Sequence, residues 1–319
     1  MRIVVLEANR IGKDVSFDCL KEFGELIVYD ETVSAEECRK RTKDADIVIV
    51  DQFPLNETTL CDAGHLKYVT MTSTGTDFVD FSYMKKRDIT VANIRNYSTH
   101  SVAQTTISLL LYLYEKLAHF DRYVRSGAYI GDEANSSFSE VFHELYGKEY
   151  GIIGMGNIGR EVAKIATAFG CHVSYYSPSG HDYNLPYPLV DFDTLLSRSD
   201  IISVHTPLNT QTRELLDYQA FRKMKKSAVL INTARGGLIN EADLVKALKE
   251  NLIAGAGLDV LTSEPMSPDC AFTEMLAAPN LLITPHIGWA SSESRSRAIE
   301  EIYYNIKAYL NKEDRNIVS

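Results

Sequence analysis

Three side chains of types that carry acid–base and anion-binding chemistry, Arg235, Glu264 and His286, each follow a stretch typical of a buried strand. Ligands of open α/β sheets bind beyond the carboxyl ends of the strands, so we expect the three side chains in one crevice. A histidine can donate a proton near neutral pH, and an adjacent carboxylate orients its ring and favours its charged form. An arginine offers a planar, permanently charged fork to a carboxylate or a polarised carbonyl.

Each of these residues taken singly also has an ordinary structural explanation, as a solvated arginine, a turn glutamate or a histidine that caps a strand. Their joint occurrence is what predicts a catalytic site, and it gains weight from a second motif. Gly154, Gly156 and Gly159 form the pattern G-x-G-x-x-G, with an apolar run before it and an amphipathic helical pattern over residues 160–169 after it.

In this context the first glycine permits a tight turn, the second admits a pyrophosphate to the backbone, and the third lets the helix pack close to the strand. The amino end of the helix offers free N–H groups and the positive end of its dipole to the phosphates. We therefore predict a dinucleotide site. Its loop consists of Gly154, Met155, Gly156, Asn157, Ile158 and Gly159.

Ser177 directly follows the next predicted strand, at the position where the pattern for NAD asks for an Asp or Glu that binds the ribose 2′-hydroxyl. Without that carboxylate a 2′-phosphate is not repelled, so NADP(H) becomes compatible with the site. Yet no lysine or arginine occurs between Lys164 and Arg198, and a 2′-phosphate site usually contains such a cation. His181 or Arg213 would supply charge only if folding brings them near. We therefore predict relaxed choice between NAD(H) and NADP(H).

Short strand-like runs alternate with helix-length segments along the whole chain, which predicts parallel sheets joined by helical crossovers. The glycine motif begins near the middle of the 319 residues. We therefore predict an α/β protein with two Rossmann-like or flavodoxin-like domains and a cleft between them. Residues 1–98 and 290–319 would form the substrate domain, and residues 99–289 the dinucleotide-binding domain. The predicted strands cover residues 3–6, 47–50, 68–72, 90–92, 151–154, 172–176, 201–205, 228–232, 254–260 and 282–285.

Two helical segments carry further expectations. Residues 98–127 are apolar on more than one face, so they must be buried on several sides. An ordinary core helix would satisfy this, and so would a helix that packs against a second subunit, which predicts a homodimer. The second segment, residues 292–311, is expected to pack on the first domain. Its apolar stripe consists of Ile299, Ile302, Tyr303, Ile306 and Leu310.

The formal net charge of −10 and the lack of a basic block argue against nucleic acid or an anionic membrane surface as a partner. The longest largely apolar stretch, residues 107–114, is too short to span a bilayer. The five cysteines are scattered, without a Cys/His cluster, so we expect no metal site and no disulfide framework. This pattern, with no signal peptide, is typical of a cytoplasmic protein.

Residues 74–77, 96–104 and 205–208 complete a set of motifs whose order and spacing resemble the D-isomer-specific 2-hydroxyacid dehydrogenase family. Residues 101–104 and 285–291 look most like the glycerate dehydrogenase/hydroxypyruvate reductase branch. The resemblance implies hydride transfer between a nicotinamide cofactor and a small 2-keto acid, most readily hydroxypyruvate or glyoxylate. In this reaction His286 would protonate the alkoxide, Glu264 would orient His286, and Arg235 would bind the substrate.

The resemblance also implies that backbone N–H groups of Thr74 and Gly75 hold the substrate carboxylate and that Asp259 accepts a hydrogen bond from the nicotinamide carboxamide. We expect further cofactor contacts at His205, Pro207, Thr212, Thr233, Ala234, Arg235, His286 and Gly288. Within the family, D-lactate and D-3-phosphoglycerate dehydrogenase activities remain alternatives. An alternative of another class is a co-repressor-like sensor, which would bind NADH tightly but reduce 2-keto acids poorly.

Overall fold

The computed structural model describes residues 1–131 and 135–318 and divides into two compact units. The first unit is Met1–Ser98 with Trp289–Ser319, and the second is Thr99–Gly288. The named strands of both sheets pair in parallel throughout the described ranges. The predicted fold class, two parallel α/β domains, is confirmed.

The elements follow in chain order. The strands are β1 (Arg2–Val5), β2 (Glu25–Val28), β3 (Ile47–Val50), β4 (Tyr68–Met71), β5 (Thr90–Ala92), β6 (Glu149–Ile153), β7 (His172–Tyr176), β8 (Ile201–Val204), β9 (Val229–Asn232), β10 (Gly255–Leu258) and β11 (Leu281–Ile283). The helices are α1 (Ala35–Thr42), α2 (Glu57–Leu60), α3 (Phe81–Lys86), α4 (Thr99–Tyr114), α5 (Leu117–Arg125), α6 (Asn157–Ala168), α7 (Phe192–Arg198), α8 (Tyr218–Lys223), α9 (Glu241–Lys249) and α10 (Ser292–Leu310). Short 3-10 turns lie at Ala8–Arg10, Asp18–Phe23, Gly236–Leu238 and Ala271–Met275.

The sheet of the first unit has the strand order β2-β1-β3-β4-β5. Helix α10 returns to this unit, as predicted, and buries Ile299, Ile302 and Ile306 in the same apolar cluster as Ile3 and Ile47. The predicted stripe is wrong at its end, because Leu310, the last residue of α10, is 43% exposed.

The sheet of the second unit has the order β11-β10-β9-β8-β6-β7, and Leu189 adds one parallel bridge outside β7, to Tyr175. Strand order therefore reverses between β6 and β8, and such a reversal opens a ligand crevice at the carboxyl ends of the strands. The glycine loop leaves β6 at this point. Helices α4 and α6 pack together on the sheet through apolar residues that include Leu110 and Val162.

Strand β2 escaped the sequence reasoning, although all ten predicted strands are present with ends that differ by a few residues. It lies at the edge of the first sheet, and Val28 is 43% exposed. An edge strand that is buried on neither face completely shows no clear alternation of apolar and polar residues, and this alternation is the main sequence signal for a strand.

The single helical segment predicted at residues 98–127 is wrong in one respect, because it is two helices. The chain leaves helical conformation at Lys116, whose φ is 56°. Helix α4 is an ordinary core helix of the second unit, whereas α5 has no buried residue. The physical reason is that left-handed backbone at Lys116 redirects the chain before its second apolar run.

Candidate active site

His286 lies on a sharp turn directly after β11. Its φ is +54°, a left-handed conformation that few residues other than glycine adopt. The turn is fixed by Asp259, which is 1% exposed at the end of β10. The carboxylate of Asp259 accepts hydrogen bonds from the N–H groups of Ile287 at 2.9 Å and Gly288 at 2.7 Å and from the hydroxyl of Thr284 at 2.6 Å. The histidine is therefore held by its backbone as well as by its ring.

The ring of His286 contacts Glu264, with 2.6 Å between Nδ1 and Oε2. Both side chains are 35% exposed. The other carboxylate oxygen of Glu264 accepts the backbone N–H of Leu261 at 2.7 Å. Burial acts to raise the pKa of Glu264, but the hydrogen bonds from His286 and Leu261 and the charges of His286 and Arg235 outweigh it, so the pKa is lowered. Glu264 is therefore a carboxylate at neutral pH, and it contacts only the Nδ1 side of the His286 ring.

Arg235 follows β9 and is exposed, with its guanidinium donating to the carbonyl of Ala234 at 2.8 Å. The buried amide of Asn232 braces this turn, because it donates to the carbonyl of Arg235 at 2.9 Å and accepts from the N–H of Ala234 at 3.0 Å. The next residue, Gly236, packs so closely on the loop before Glu264 that a Cβ there would lie 1.9 Å from the carbonyl carbon of Leu261. The turns of all three predicted catalytic residues thus meet within the second unit.

The glycine loop has the shape that a pyrophosphate requires. Gly154 has φ +93°, and a Cβ there would lie 2.7 Å from the carbonyl oxygen of His205. A Cβ on Gly159 would lie 2.2 Å from the carbonyl oxygen of Gly154, whereas one on Gly156 would point into open space. Gly156 caps α6 without a side chain, so the first-turn N–H groups face that space.

Met155 and Ile158 support this loop from below through the apolar cluster that covers the sheet, and Asn157 is exposed. The residues present therefore fit a dinucleotide whose phosphates lie at the amino end of α6.

The opposite side of the crevice consists of the residues after β8 and β9. Burial lowers the pKa of His205 to about 3, and its Nε2 lies 2.9 Å from the hydroxyl of Ser203. Pro207 is exposed, and its carbonyl accepts the hydroxyl of the buried Thr212 at 2.7 Å. The hydroxyl of Thr233 is likewise committed, at 2.9 Å from Thr106. Thr212 and Thr233 therefore shape the crevice wall from within the protein.

The predicted substrate residues Thr74 and Gly75 lie in the first unit, after β4. The carbonyl of Thr74 accepts the side-chain amide of Asn93 at 2.8 Å, and the Thr74 hydroxyl donates to the carbonyl of Ile94 at 2.9 Å. Within residues 1–131 and 135–318 the backbone N–H groups of Thr74 and Gly75 donate to no protein acceptor. They are thus available to an anion.

Sequence reasoning missed Asn93, which positions the Thr74 loop, and Thr284, which bonds Asp259. Asn93 directly follows β5 and Thr284 directly follows β11. A polar residue just after a strand is the signal by which the sequence identified Arg235, so the same signal could have found these two residues. Sequence reasoning also missed Arg160, which contacts Tyr183 in the loop after β7 beside the predicted His181. Arg213, one of the two basic residues considered there, instead lies against Gly237 beside the Arg235 turn.

The described ranges contain no group of three His, Cys, Asp or Glu side chains that could hold a metal ion. In the same ranges, no helix has both the length and the apolar character needed to cross a bilayer.

Comparison with known proteins identifies this arrangement. The model of the NAD-binding domain of D-isomer-specific 2-hydroxyacid dehydrogenases matches residues 107–288. The chain is 37% identical to a hydroxypyruvate reductase of Blautia hydrogenotrophica, over 100% of both proteins. It is 34% identical to a glycerate dehydrogenase of Methylorubrum extorquens, over 99% of this chain and 98% of that protein. The crystal structure of a D-lactate dehydrogenase with NAD⁺ from Lactobacillus jensenii matches with a TM-score of 0.84 at 33% identity, covering 100% of each chain.

The chain therefore belongs to the D-isomer-specific 2-hydroxyacid dehydrogenase family. It is an NAD(P)-dependent oxidoreductase, and within the family it falls in the glycerate dehydrogenase and hydroxypyruvate reductase branch. The predicted family, enzyme class and nicotinamide cofactor are thereby confirmed.

Proposed function

We propose that this enzyme reduces hydroxypyruvate or glyoxylate, with His286 as proton donor. The observation that carries the proposal is the 2.6 Å contact between His286 and Glu264, in a chain similar over its whole length to a hydroxypyruvate reductase and a glycerate dehydrogenase. The two relatives' names describe opposite directions of one reaction, and an enzyme accelerates both directions equally.

A reduced nicotinamide held by the glycine loop would supply a hydride to the carbonyl carbon of the substrate. As the carbonyl oxygen becomes an alkoxide, the free ring nitrogen of His286 gives it a proton, and the product is the 2-hydroxy acid. Glu264 faces the other ring nitrogen, so it orients the ring and stabilises the charged form before transfer. Arg235 binds the carboxylate and the carbonyl oxygen with its planar fork, an interaction that strengthens as negative charge develops.

We further propose that the backbone N–H groups of Thr74 and Gly75 bind the substrate carboxylate. Two observations support this proposal. Within the described ranges neither N–H group donates to a protein acceptor, and the side-chain amide of Asn93 holds the Thr74 carbonyl in place. Asp259 is proposed to accept the nicotinamide carboxamide. Three donors already use its carboxylate, which has about four acceptor positions, so one position remains.

The test is the initial rate at pH 7 with hydroxypyruvate, glyoxylate, pyruvate and phosphohydroxypyruvate, each with NADH and with NADPH. Fastest turnover of hydroxypyruvate or glyoxylate supports the proposal. Preference for pyruvate or for phosphohydroxypyruvate would instead assign the D-lactate or D-3-phosphoglycerate alternative. Tight binding of NADH without turnover of any member would favour the sensor.

We also propose a homodimer, which the sequence predicted through residues 98–127; we now place the contact after the break at Lys116, in residues 117–131 and 135–146. Several large hydrophobic side chains in these residues are more than half exposed to solvent in the single chain. They are Val124 at 55%, Ile130 at 85%, Phe138 at 90%, Val141 at 73%, Phe142 at 55% and Tyr146 at 75%. Exposed apolar side chains concentrated in one stretch of the chain favour a protein interface there.

Sedimentation at micromolar concentration tests the dimer, with Ile130→Asp expected to shift the protein toward monomer. Leu276→Asp is the matched control, because Leu276 is 63% exposed but lies outside the segment. A monomeric wild-type protein would contradict the proposal.

We propose a cytoplasmic location, because the five cysteines are free thiols and a reducing compartment keeps thiols reduced. Cell fractionation tests this location.

A further inference from the structure

The loop after β7 replaces a carboxylate with hydroxyl groups at the point where a Rossmann unit meets the adenosine ribose. Ser177 is 5% exposed directly after β7, and its hydroxyl lies 3.2 Å from that of Ser179. Gly180, with φ +70°, closes the turn by donating its N–H to the carbonyl of Ser177 at 2.9 Å. The hydroxyls can donate to an anion, whereas an acid in this place would accept from a ribose hydroxyl.

Arg160 of α6 contacts this loop. The spacing of residues in the sequence did not predict this contact. The guanidinium carbon of Arg160 lies 5.0 Å from the centre of the Tyr183 ring, and the imidazole of His181 packs on the edge of the same ring at 4.5 Å. Tyr183, six residues after Ser177 in the same loop, therefore contacts both basic side chains.

The orientation of Arg160 leaves hydrogen-bonding capacity unused. Its Nε donates to the carbonyl of Met155 in the glycine loop at 3.1 Å, which fixes the plane of the guanidinium. Across the described parts of the chain, its two terminal amino groups make no hydrogen bond and no ion pair. A partly buried guanidinium that is fixed at one nitrogen and free at the other two is suited to an anion outside the protein.

The two carboxylates nearest in sequence are engaged elsewhere. Asp182 accepts the hydroxyl of Tyr175 at 2.9 Å and the N–H of Asn184 at 2.9 Å. Glu161 pairs with Lys164 at 3.1 Å and with His100 at 3.4 Å. Neither neutralises Arg160, so its charge is available to a ligand.

We infer that this loop binds the 2′-phosphate of NADP(H), with the Arg160 guanidinium as the cation and one hydroxyl of the Ser177–Ser179 pair as donor, because the other O–H of the pair is used between the two serines. The inference rests on the enzyme's nicotinamide site and deepens the proposed function, because it assigns cofactor specificity to residues of this chain. It does not depend on which 2-keto acid is reduced. Binding of NADP(H) at least as tight as that of NAD(H) follows from it.

The test compares the affinity of adenosine 2′,5′-bisphosphate with that of 5′-AMP by calorimetry, since the two ligands differ only in the 2′-phosphate. We expect the bisphosphate to bind about 10- to 100-fold more tightly, the range for hydrogen bonds to a charged group. Arg160→Met should reduce this ratio about tenfold or more and leave 5′-AMP affinity within about twofold. Arg198→Met, at an exposed arginine on α7, is the matched control and should leave the ratio unchanged.

A second variant guards against loss of the Met155 contact in Arg160→Met. Ser177→Asp should bring the bisphosphate below 5′-AMP in affinity, because a carboxylate would face the phosphate. Equal affinity of the two ligands for the wild-type protein would overturn the inference. So would an Arg160→Met variant that weakens both ligands equally, since Arg160 would then only support the glycine loop. Neither measurement involves a 2-keto acid, so failure of the proposed substrate leaves this result intact.

Discussion

The backbone N–H of Gly288 donates to the carboxylate of Asp259 at 2.7 Å, so the turn that carries His286 is fixed from a neighbouring strand. His286 follows β11, but the residue that holds its turn follows β10. The N–H of Asp259 in turn donates to the carbonyl of Asn232, the last residue of β9, at 2.9 Å. The carboxyl ends of three adjacent strands are therefore linked by hydrogen bonds directly beneath the proposed catalytic residues. Such a base keeps their relative positions constant, which proton transfer requires.

Replacement of His286 by alanine removes the proposed proton donor. We expect kcat to fall about 10²- to 10⁴-fold, the usual contribution of a general acid, while NADH affinity changes little. Steady-state kinetics and fluorescence titration of NADH measure the two effects separately. A variant with near-normal kcat would exclude His286 from the proton transfer.

Glu264→Gln tests the role of the carboxylate while preserving its size. The pKa of Glu264 is lowered, so the wild-type side chain is charged throughout the neutral range and supports a protonated imidazole. An amide does not, so we expect kcat/KM at pH 8 to fall about 10- to 100-fold and to recover partly as the pH is lowered. The pH profile of kcat/KM from pH 5 to 9 is the measurement. Parallel wild-type and variant profiles would show that Glu264 acts only by packing.

The close approach of Gly236 to Leu261 predicts a strong effect of a single methyl group. In Gly236→Ala the new Cβ would overlap the Leu261 backbone, and the Arg235 turn would have to move away from the Glu264 loop. We expect a loss of about 1–3 kcal/mol in unfolding free energy and a fall in kcat. Gly64→Ala is the control, because a Cβ there meets nothing within 4 Å. Equal stability of the two variants in urea unfolding would contradict the packing argument.

His205 predicts a pH dependence of stability. Burial lowers its pKa from 6.5 to about 3, so the folded protein keeps the ring neutral while the unfolded chain takes up a proton below about pH 6.5. The stability that this group contributes is fully present above pH 6.5 and is lost as the pH falls toward 3, by at most about 1.4 kcal/mol per pH unit.

In His205→Asn the unfolding free energy should therefore decline less steeply between pH 6.5 and pH 4.5 than in the wild-type protein. Urea unfolding at several pH values provides the slopes. His65→Gln, at an exposed histidine, should keep the wild-type slope. Indistinguishable slopes for all three proteins would show that His205 is not held neutral.

The sequence was informative where one strong local rule applied. The glycine pattern of residues 154–159 has a mechanical reason at each glycine, and the rule that ligands lie beyond the carboxyl ends of parallel strands singled out Arg235, Glu264 and His286. In the structure these three turns meet within one unit.

Sequence reasoning did not predict the features that depend on tertiary packing. The break at Lys116 is a left-handed residue in a segment whose composition favours helix, and the edge strand β2 lacks a clear pattern. Arg160 is separated by a whole strand from Tyr183, and only the return of the loop toward α6 joins them. Propensity and spacing describe neighbours along the chain, so such contacts leave no signal in them.

The order in which the two units use the chain has a consequence for synthesis on the ribosome. Residues 99–288 form the second unit as one continuous segment, whereas the first unit needs α10 from the other end of the chain to cover Ile3 and Ile47. Because domains fold as their residues emerge, the first sheet must wait, with one face exposed, through the translation of the entire second unit. The first sheet of the nascent chain therefore needs chaperone protection for longest, and this need ends only when α10 leaves the exit tunnel of the ribosome.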